Sequence, residues 1–334
     1  MNTNFTLIIC TFMRANSLKR LLMSVELQSL YPNQIIIVDG SLNEDTKALF
    51  EKDKPLNLEY FLVDSQHRGL TKQRNYGISK VSPNSEIVCF IDDDTELTIN
   101  YFQEISATFS SDKTIVGVGG VSLNENAWVK KEPNKRYNKH FYYVHGDYVY
   151  KESTRNVVRN FLGLQSHLPS NVVPDYSNSR TCGYPIDGES YSVHLLIGMS
   201  FSFRRIVFQN IKFSTYFEGY GLYEDADYCI RALQFGKNII NTNVQIYHYH
   251  DHSGRPNKYN YGKMVVRNGW YIWHVHKSKP NFKDRLKWNA ITLILIGIRF
   301  SNIFTKANKK EAFTEALGRV VGYFSLIYNK PIIK

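Results

Sequence analysis

Four short apolar runs punctuate the first hundred residues: FTLIICT (5–11), QIIIVDG (34–40), LEYFLV (58–63) and EIVCFID (86–92). Each is long enough for a strand and too short for a stable helix of its own. Between the first two, SLKRLLMSVELQSL (17–30) repeats Leu18, Leu21, Leu22 and Val25 at helical spacing. The short acidic segment 43–53 and GLTKQRNYGISKV (69–81) also read as helices. Continuous apolar strands alternating with helices are the pattern of parallel βαβ units buried on both faces. The expected fold is therefore α/β, a Rossmann-like single sheet flanked by helices. In open sheets of this kind ligands bind beyond the carboxyl ends of the strands. Three of the four runs place a polar residue there: Thr11, Asp39 and Asp92.

A further helix is expected from about residue 98, followed by a strand at TIVGVGGV (114–121). Residues 123–192 change character. They are rich in Asn, Tyr, Ser and charge, with prolines at 133, 169, 174 and 185, and read as an irregular insertion beside a site. LLIGMSFSFRR (195–205) restores an apolar strand. A Gly-flexed loop then leads into a helix at YEDADYCIRALQFG that Gly236 stops, and VQIYHYHDH (244–252) reads as the last strand.

Charge divides the chain unevenly. From Arg255 onward there are 16 Lys and Arg against 3 Asp and Glu, a net of +13 within an overall +11, so residues 1–254 carry a net of −2. A near-neutral body with a basic end predicts an anionic partner for that end, membrane lipid or nucleic acid. The expected division is a body at 1–254, with a first half at 1–97 and a second at 98–254 that includes the 123–192 insertion, and a basic, aromatic helical extension at 255–334. Cys10, Cys89, Cys182 and Cys229 are scattered without a CxxC pair, which points to reduced thiols. The first residues show no secretory pattern, so a cytoplasmic protein is the expectation, peripheral on the inner face of the cell membrane if the basic end meets lipid.

Three aspartates, Asp92, Asp93 and Asp94, stand side by side at the end of the fourth run. Adjacent carboxylates repel unless a cation or strong donors compensate them. One aspartate would fit a helix cap, but three directly after an apolar strand fit a divalent cation holding a phosphorylated ligand better. Glu224, Asp225 and Asp227 form a second acidic group at a helix start after Gly219 and Gly221. Helix-dipole complementation and an Asp227–Arg231 pair account for them as well as a general base does. His248, His250 and His252, spaced by two, share one face if the strand continues, and imidazole suits Mn2+-like metals. Arg74 and Asn75 open a helix near a strand end, where an arginine suits phosphate or a planar base.

Taken in order, ICTFMR, IIIVDGS, GLTKQRNYGI, FIDDD, GMSFSFRR and YEDADYCIRALQFG, with a strand ending in histidine behind them, resemble the family-2 glycosyltransferases of the GT-A fold over roughly residues 4–252. The resemblance implies an inverting, metal-dependent transfer of a sugar from a nucleoside-diphosphate sugar. Thr11, Arg14, Asp39, Arg74, Asn75, Asp92 and Asp93 would bind the donor, with Thr11 and Asp39 at the base and ribose and Asp93 on the ribose side. Asp94 and His248 would hold Mn2+ or Mg2+, and Asp225, beside Glu224, would be the catalytic base. The resemblance makes 1–254 the catalytic domain, with 1–97 its nucleotide-binding half and 98–254 its acceptor half. The family's common VDDGS stands here as VDGS, which moves or removes one nucleotide contact. A UDP-sugar is the donor expected first. The acceptor is expected to be a glycan or lipid-linked glycan of a bacterial-type surface polysaccharide.

The apolar run Asn289–Ile298 is about ten residues, short of the roughly 20 that span a bilayer. Lys283, Arg285 and Lys287 precede it and Arg299 closes it, which suits a helix lying on an anionic membrane surface as well as one packed on the protein. Two other functions compete. A nucleotidyltransferase would carry a Gly-rich phosphate loop where this chain reads CTFMRANS. A nucleic-acid-binding protein would use the basic end but leaves both acidic groups unexplained, so no nucleic-acid partner is expected.

Overall fold

A computed structural model describes residues 3–52, 55–250, 256–305 and 308–333. In chain order the first part comprises β1 (Phe5–Thr11), α1 (Ala15–Glu26), β2 (Gln34–Asp39), α2 (Asp45–Lys52), β3 (Leu58–Leu62), α3 (Leu70–Ser79), β4 (Ile87–Asp92), β5 (Thr95–Leu97), α4 (Tyr101–Ser111) and β6 (Ile115–Ser122). There follow β7 (Trp128–Lys130), β8 (Tyr142–His145), β9 (Tyr148–Lys151), α5 (Thr154–Phe161), β10 (Ser190–Val193), β11 (Ser200–Arg204), α6 (Arg205–Asn210), α7 (Glu224–Ala232) and β12 (Lys237–His248). The last three helices are α8 (Lys258–His276), α9 (Phe282–Thr305) and α10 (Lys309–Tyr328).

Two compact units result, both discontinuous in sequence. One contains residues 1–126 and 186–255, the other 127–185 and 256–334. The sequence reading drew its boundary at residue 254 and kept 127–185 with the first part; the contacts group that segment with the C-terminal helices.

The first unit is built on a nine-stranded mixed sheet in the order β10-β12-β6-β11-β4-β1-β2-β3, with β5 paired to β12. β3, β2, β1 and β4 are parallel neighbours, as the apolar runs predict. β11 enters antiparallel between β4 and β6, which aligns the start of its strand with the end of β4. β1 and β2 are buried almost throughout because helices cover both faces, and Leu18, Leu21, Leu22 and Val25 of α1 join their core. Gly77 lets α3 approach the sheet: a Cβ there would stand 2.7 Å from Cγ2 of Ile8. The glycine of RNYG is thus a packing requirement.

In the second unit, the segment expected to be irregular contains a three-stranded sheet, β7-β9-β8, and the helix α5. Its last three helices pack closely, α10 on α8 with Gly318 against the Tyr259 carbonyl, where a Cβ would come within 2.0 Å of the oxygen. Trp273 and Trp288 stack with centroids 5.3 Å apart, and Glu315 of α10 pairs with Arg299 and Arg319 at 3.1 and 2.8 Å. α9 runs 24 residues, well past the ten-residue apolar run read from the sequence. By length and composition it is long and apolar enough to cross a membrane, so the shortness inferred from Asn289–Ile298 does not hold. The apolar character resumes after Arg299 at Phe300, Ile303 and Phe304.

Candidate active site

The carboxyl ends of β1, β2 and β4 and the start of α7 bring the candidate residues together in the first unit. Thr11 ends β1, and its hydroxyl donates to Asp93 Oδ2 at 2.6 Å. Arg14 follows three residues later at the start of α1. Its Nη1 lies 3.0 Å from Asp93 Oδ1 and 3.6 Å from Asp94 Oδ2. Asp39, at the end of β2, is fully buried and accepts from the Ser41 amide at 2.8 Å and the Tyr60 hydroxyl at 2.8 Å. Gln73, which the sequence reading passed over, ties these strand ends together: its Nε2 donates to the carbonyls of Thr11 and Val38 at 3.0 and 2.8 Å.

The aspartate triplet sits at the turn from β4 to β5, and each carboxylate has its own cationic neighbour. Arg74 lies 3.1 Å from Asp92. Arg14 faces Asp93 at 3.0 Å. His248 Nε2 lies 3.4 Å from Asp94 Oδ1. Burial still raises Asp92, against the pull of Arg74, and pushes Asp93 up to about 7 against Arg14 and Thr11. His248, at the end of β12, is raised to about 9: burial disfavours its charge, but the Asp94 and Glu125 carboxylates outweigh it.

Arg74 joins the two acidic groups. It is almost fully buried, and its guanidinium meets Glu224 at 2.7 Å, Asp92 at 3.1 Å and the Gly198 carbonyl at 3.3 Å. These contacts make it a clamp between the two acidic groups, a tie that the sequence reading, which put Arg74 near base or diphosphate, did not include. Asn75 is likewise engaged internally. Its amide accepts from the Phe213 N–H and donates to the Phe213 carbonyl, both at 2.8 Å, in the manner of a strand pair. That pair fixes the chain ahead of the acidic loop, a tie not foreseen beside the donor contact expected from sequence.

Glu224 and Asp225 open α7 after Tyr223, whose φ of 74° is left-handed, an uncommon state for a tyrosine and one concentrated at functional sites. Asp225 Oδ2 accepts from the Gly198 N–H at 3.0 Å and Oδ1 from the Ala226 N–H at 2.8 Å. Burial raises its carboxyl against those two bonds. Burial and neighbouring Asp225 push Glu224 up to about 8 despite Arg74. Asp227 is separate from this arrangement and pairs with Arg231, the structural alternative weighed from sequence.

Three groups are suited to a divalent cation: one ligand atom each from Asp92, Asp94 and His248 lies within 4.8 Å of the other two. Two hard carboxylates and one imidazole fit Mn2+ or Mg2+ by donor chemistry. Of the other histidines, His250 lies beyond the end of β12 with a φ of 52°, so it does not continue a strand face. His252 lies outside the described residues.

Residues 6–168 match the family model described as Glycosyl transferase family 2. The chain carries a glycosyl transferase family 2 domain. Among curated proteins the domain is similar to the GalNAc(5)-diNAcBac-PP-undecaprenol beta-1,3-glucosyltransferase of Campylobacter jejuni subsp. jejuni serotype O:2. The two are 28% identical over 132 residues, 39% of this chain and 40% of the relative, so the match spans less than half of that protein's length. Among solved structures the chain is similar to a mannosyltransferase from Pyrobaculum calidifontis determined in complex with GDP-Man and Mn2+. The TM-score is 0.54 at 13% identity, with 99% of this chain and 89% of that one covered. At that identity the likeness concerns the fold, a central α/β sheet of GT-A type.

Proposed function

We propose that the protein transfers a sugar from a nucleoside-diphosphate sugar to a hydroxyl of a glycan acceptor, with inversion at the anomeric carbon. The observation that carries this reading is Arg74, which holds the Glu224–Asp225 pair and the aspartate triplet in one site. Thr11, Arg14, Asp39 and Asp93 line the strand ends where a nucleotide belongs in an open sheet. Asp92, Asp94 and His248 would hold Mn2+ or Mg2+. When bound, such a cation neutralises the charge that develops on the departing diphosphate.

Asp225 is the base. Its two oxygens are aimed by the Gly198 and Ala226 amides, and its burial strengthens its hold on a proton. The acceptor oxygen forms the new bond to the anomeric carbon as its proton passes to Asp225. The bond from that carbon to the diphosphate oxygen breaks with its electron pair leaving on the diphosphate. A single in-line displacement of this kind inverts the centre. Glu224, pinned by Arg74, positions Asp225.

A UDP-sugar is the first donor to test, and a lipid-linked glycan is the acceptor we favour, supported by the undecaprenol-linked substrate in the name of the Campylobacter relative. The second unit suits work at an anionic membrane surface. On α9, Phe282, Leu286, Leu293 and Phe304 are exposed beside Lys283, Arg285 and Lys287. We favour a cytoplasmic enzyme peripheral to the membrane, with α9 lying on its surface although it is long enough to cross. Screening UDP-, GDP- and dTDP-sugars for binding that requires Mn2+ tests the reading, and a screen without one such donor would contradict it.

A further inference from the structure

His248 offers its two ring nitrogens to two different carboxylates. Nε2 faces Asp94 at 3.4 Å, and Nδ1 lies 2.9 Å from Glu125 Oε2 on the other side of the ring. The second oxygen of Glu125 meets Nε2 of His250. The two imidazoles lie close, with centroids 4.1 Å apart. One ligand atom from each of Glu125, His248 and His250 falls within 4.8 Å of the others.

The segments that carry these groups are cross-linked. Asn124 donates to the His248 carbonyl at 2.8 Å and accepts from the His248 N–H at 2.9 Å, which seats neighbouring Glu125 against the ring. The Tyr249 amide is fixed on the Asp94 carbonyl at 3.0 Å. His250 then adopts its left-handed φ of 52°, and its ring returns to Glu125 instead of following the strand.

We propose that Glu125, His248 and His250 form a second divalent-cation site, suited to a borderline ion such as Zn2+, that shares His248 with the Asp92–Asp94 site. Two imidazoles and one carboxylate are a ligand set zinc accepts, whereas Mg2+ prefers oxygen alone. Zinc bonds of about 2.0–2.2 Å in tetrahedral geometry set ligands roughly 3.4 Å apart, inside the 4.8 Å within which the three ligand atoms already lie. Glu125 and His250 side chains are 35% and 53% exposed, which leaves water access to a fourth position.

Sharing His248 couples the two sites. A neutral imidazole that ligates through Nδ1 carries its proton on Nε2 and donates it toward Asp94. That nitrogen is then lost as a ligand to a cation at Asp92 and Asp94. Zinc on the Glu125 side therefore weakens Mn2+ on the Asp94 side, and Mn2+ weakens zinc by the same factor. The zinc site rests on the triad alone, while the coupling rests on the reading of Asp92, Asp94 and His248 given above.

The test uses the full chain stripped of metal and titrated with ZnSO4 by calorimetry, with Mn2+ affinity followed separately by electron paramagnetic resonance. Wild type should bind zinc at one site that His250→Ala and Glu125→Gln each weaken by about tenfold or more, while Asp94→Asn keeps it. Thermal unfolding verifies that the two variants, at exposed positions, remain folded. Zinc should lower Mn2+ affinity in wild type and leave it unmoved in His250→Ala. Equal zinc affinity in wild type and both triad variants would overturn the site, as would loss of zinc in Asp94→Asn alone. Zinc binding by the triad with Mn2+ affinity unchanged would overturn the coupling.

Discussion

Arg74 and Glu224 stand 150 positions apart in the chain and meet at 2.7 Å in the interior. The same guanidinium reaches Asp92, so one buried cation sits between two acidic groups that would otherwise repel each other. Removing one partner of a buried charge group costs more than the pair contributes, because the other charge is left unpaired. Arg74→Met should destabilise the protein by about 3–5 kcal/mol in urea unfolding. Adding Glu224→Gln should recover part of that loss, since the uncompensated carboxylate is gone. Strict additivity of the two changes would contradict the clamp.

Asp225 is held by two backbone amides and makes no ion pair with Arg74. Asp225→Asn keeps its shape and removes its basicity. Turnover should fall by about 10²–10⁴-fold while donor affinity stays close to wild type. Steady-state rates together with calorimetric donor binding check this. Unchanged turnover would remove Asp225 from the role of base.

The pH dependence of stability has a definite sign. His248, Glu224 and Asp93 are raised from 6.5, 4.5 and 3.8 to about 9, 8 and 7 respectively. All three bind protons more tightly folded than unfolded, so their contribution is full at low pH and is lost as pH rises through the folded values. The metal-free protein in EDTA should lose thermal stability between pH 6 and 9, by an amount on the order of several degrees. Mg2+ should flatten that slope by taking the protons' place. A melting temperature that rises over this window would contradict the arrangement of charges described.

Much of this site was legible in the sequence because its carriers are local. The strands β1 to β4 show as apolar runs, and a strand's end fixes where Thr11, Asp39 and Asp92 must lie. What was not legible depends on partners distant in the chain. Nothing near Arg74 announces Glu224, and nothing near Asn75 announces Phe213, so the internal ties of both residues could not be read beside the ligand contacts expected of them. Glu125 lies in an Asn-rich loop with no periodicity to mark it. The hairpin of β8 and β9 did leave a signal: YYVH and YVYK flank a Gly-Asp pair, a two-residue turn between tyrosine-rich strands. It was masked by the polar, proline-bearing composition around it.

The exposed apolar residues of α9 lie among Lys283, Arg285 and Lys287. If they meet an anionic surface, the full chain should float with vesicles containing phosphatidylglycerol and not with neutral ones. Charge reversal of the three basic residues should abolish flotation, and salt should weaken it in wild type. Equal flotation of the reversed variant would leave the surface without an electrostatic role.

The central claim is that Asp92, Asp94 and His248 hold the cation through which a sugar nucleotide binds. Calorimetric titration of the donor selected by screening, with Mn2+ and with EDTA, in wild type and Asp94→Asn, tests it most directly. Wild type should bind in Mn2+ and lose about tenfold or more of its affinity in EDTA, and Asp94→Asn should bind weakly in both. Donor affinity in wild type that is the same with Mn2+ and with EDTA would contradict the account.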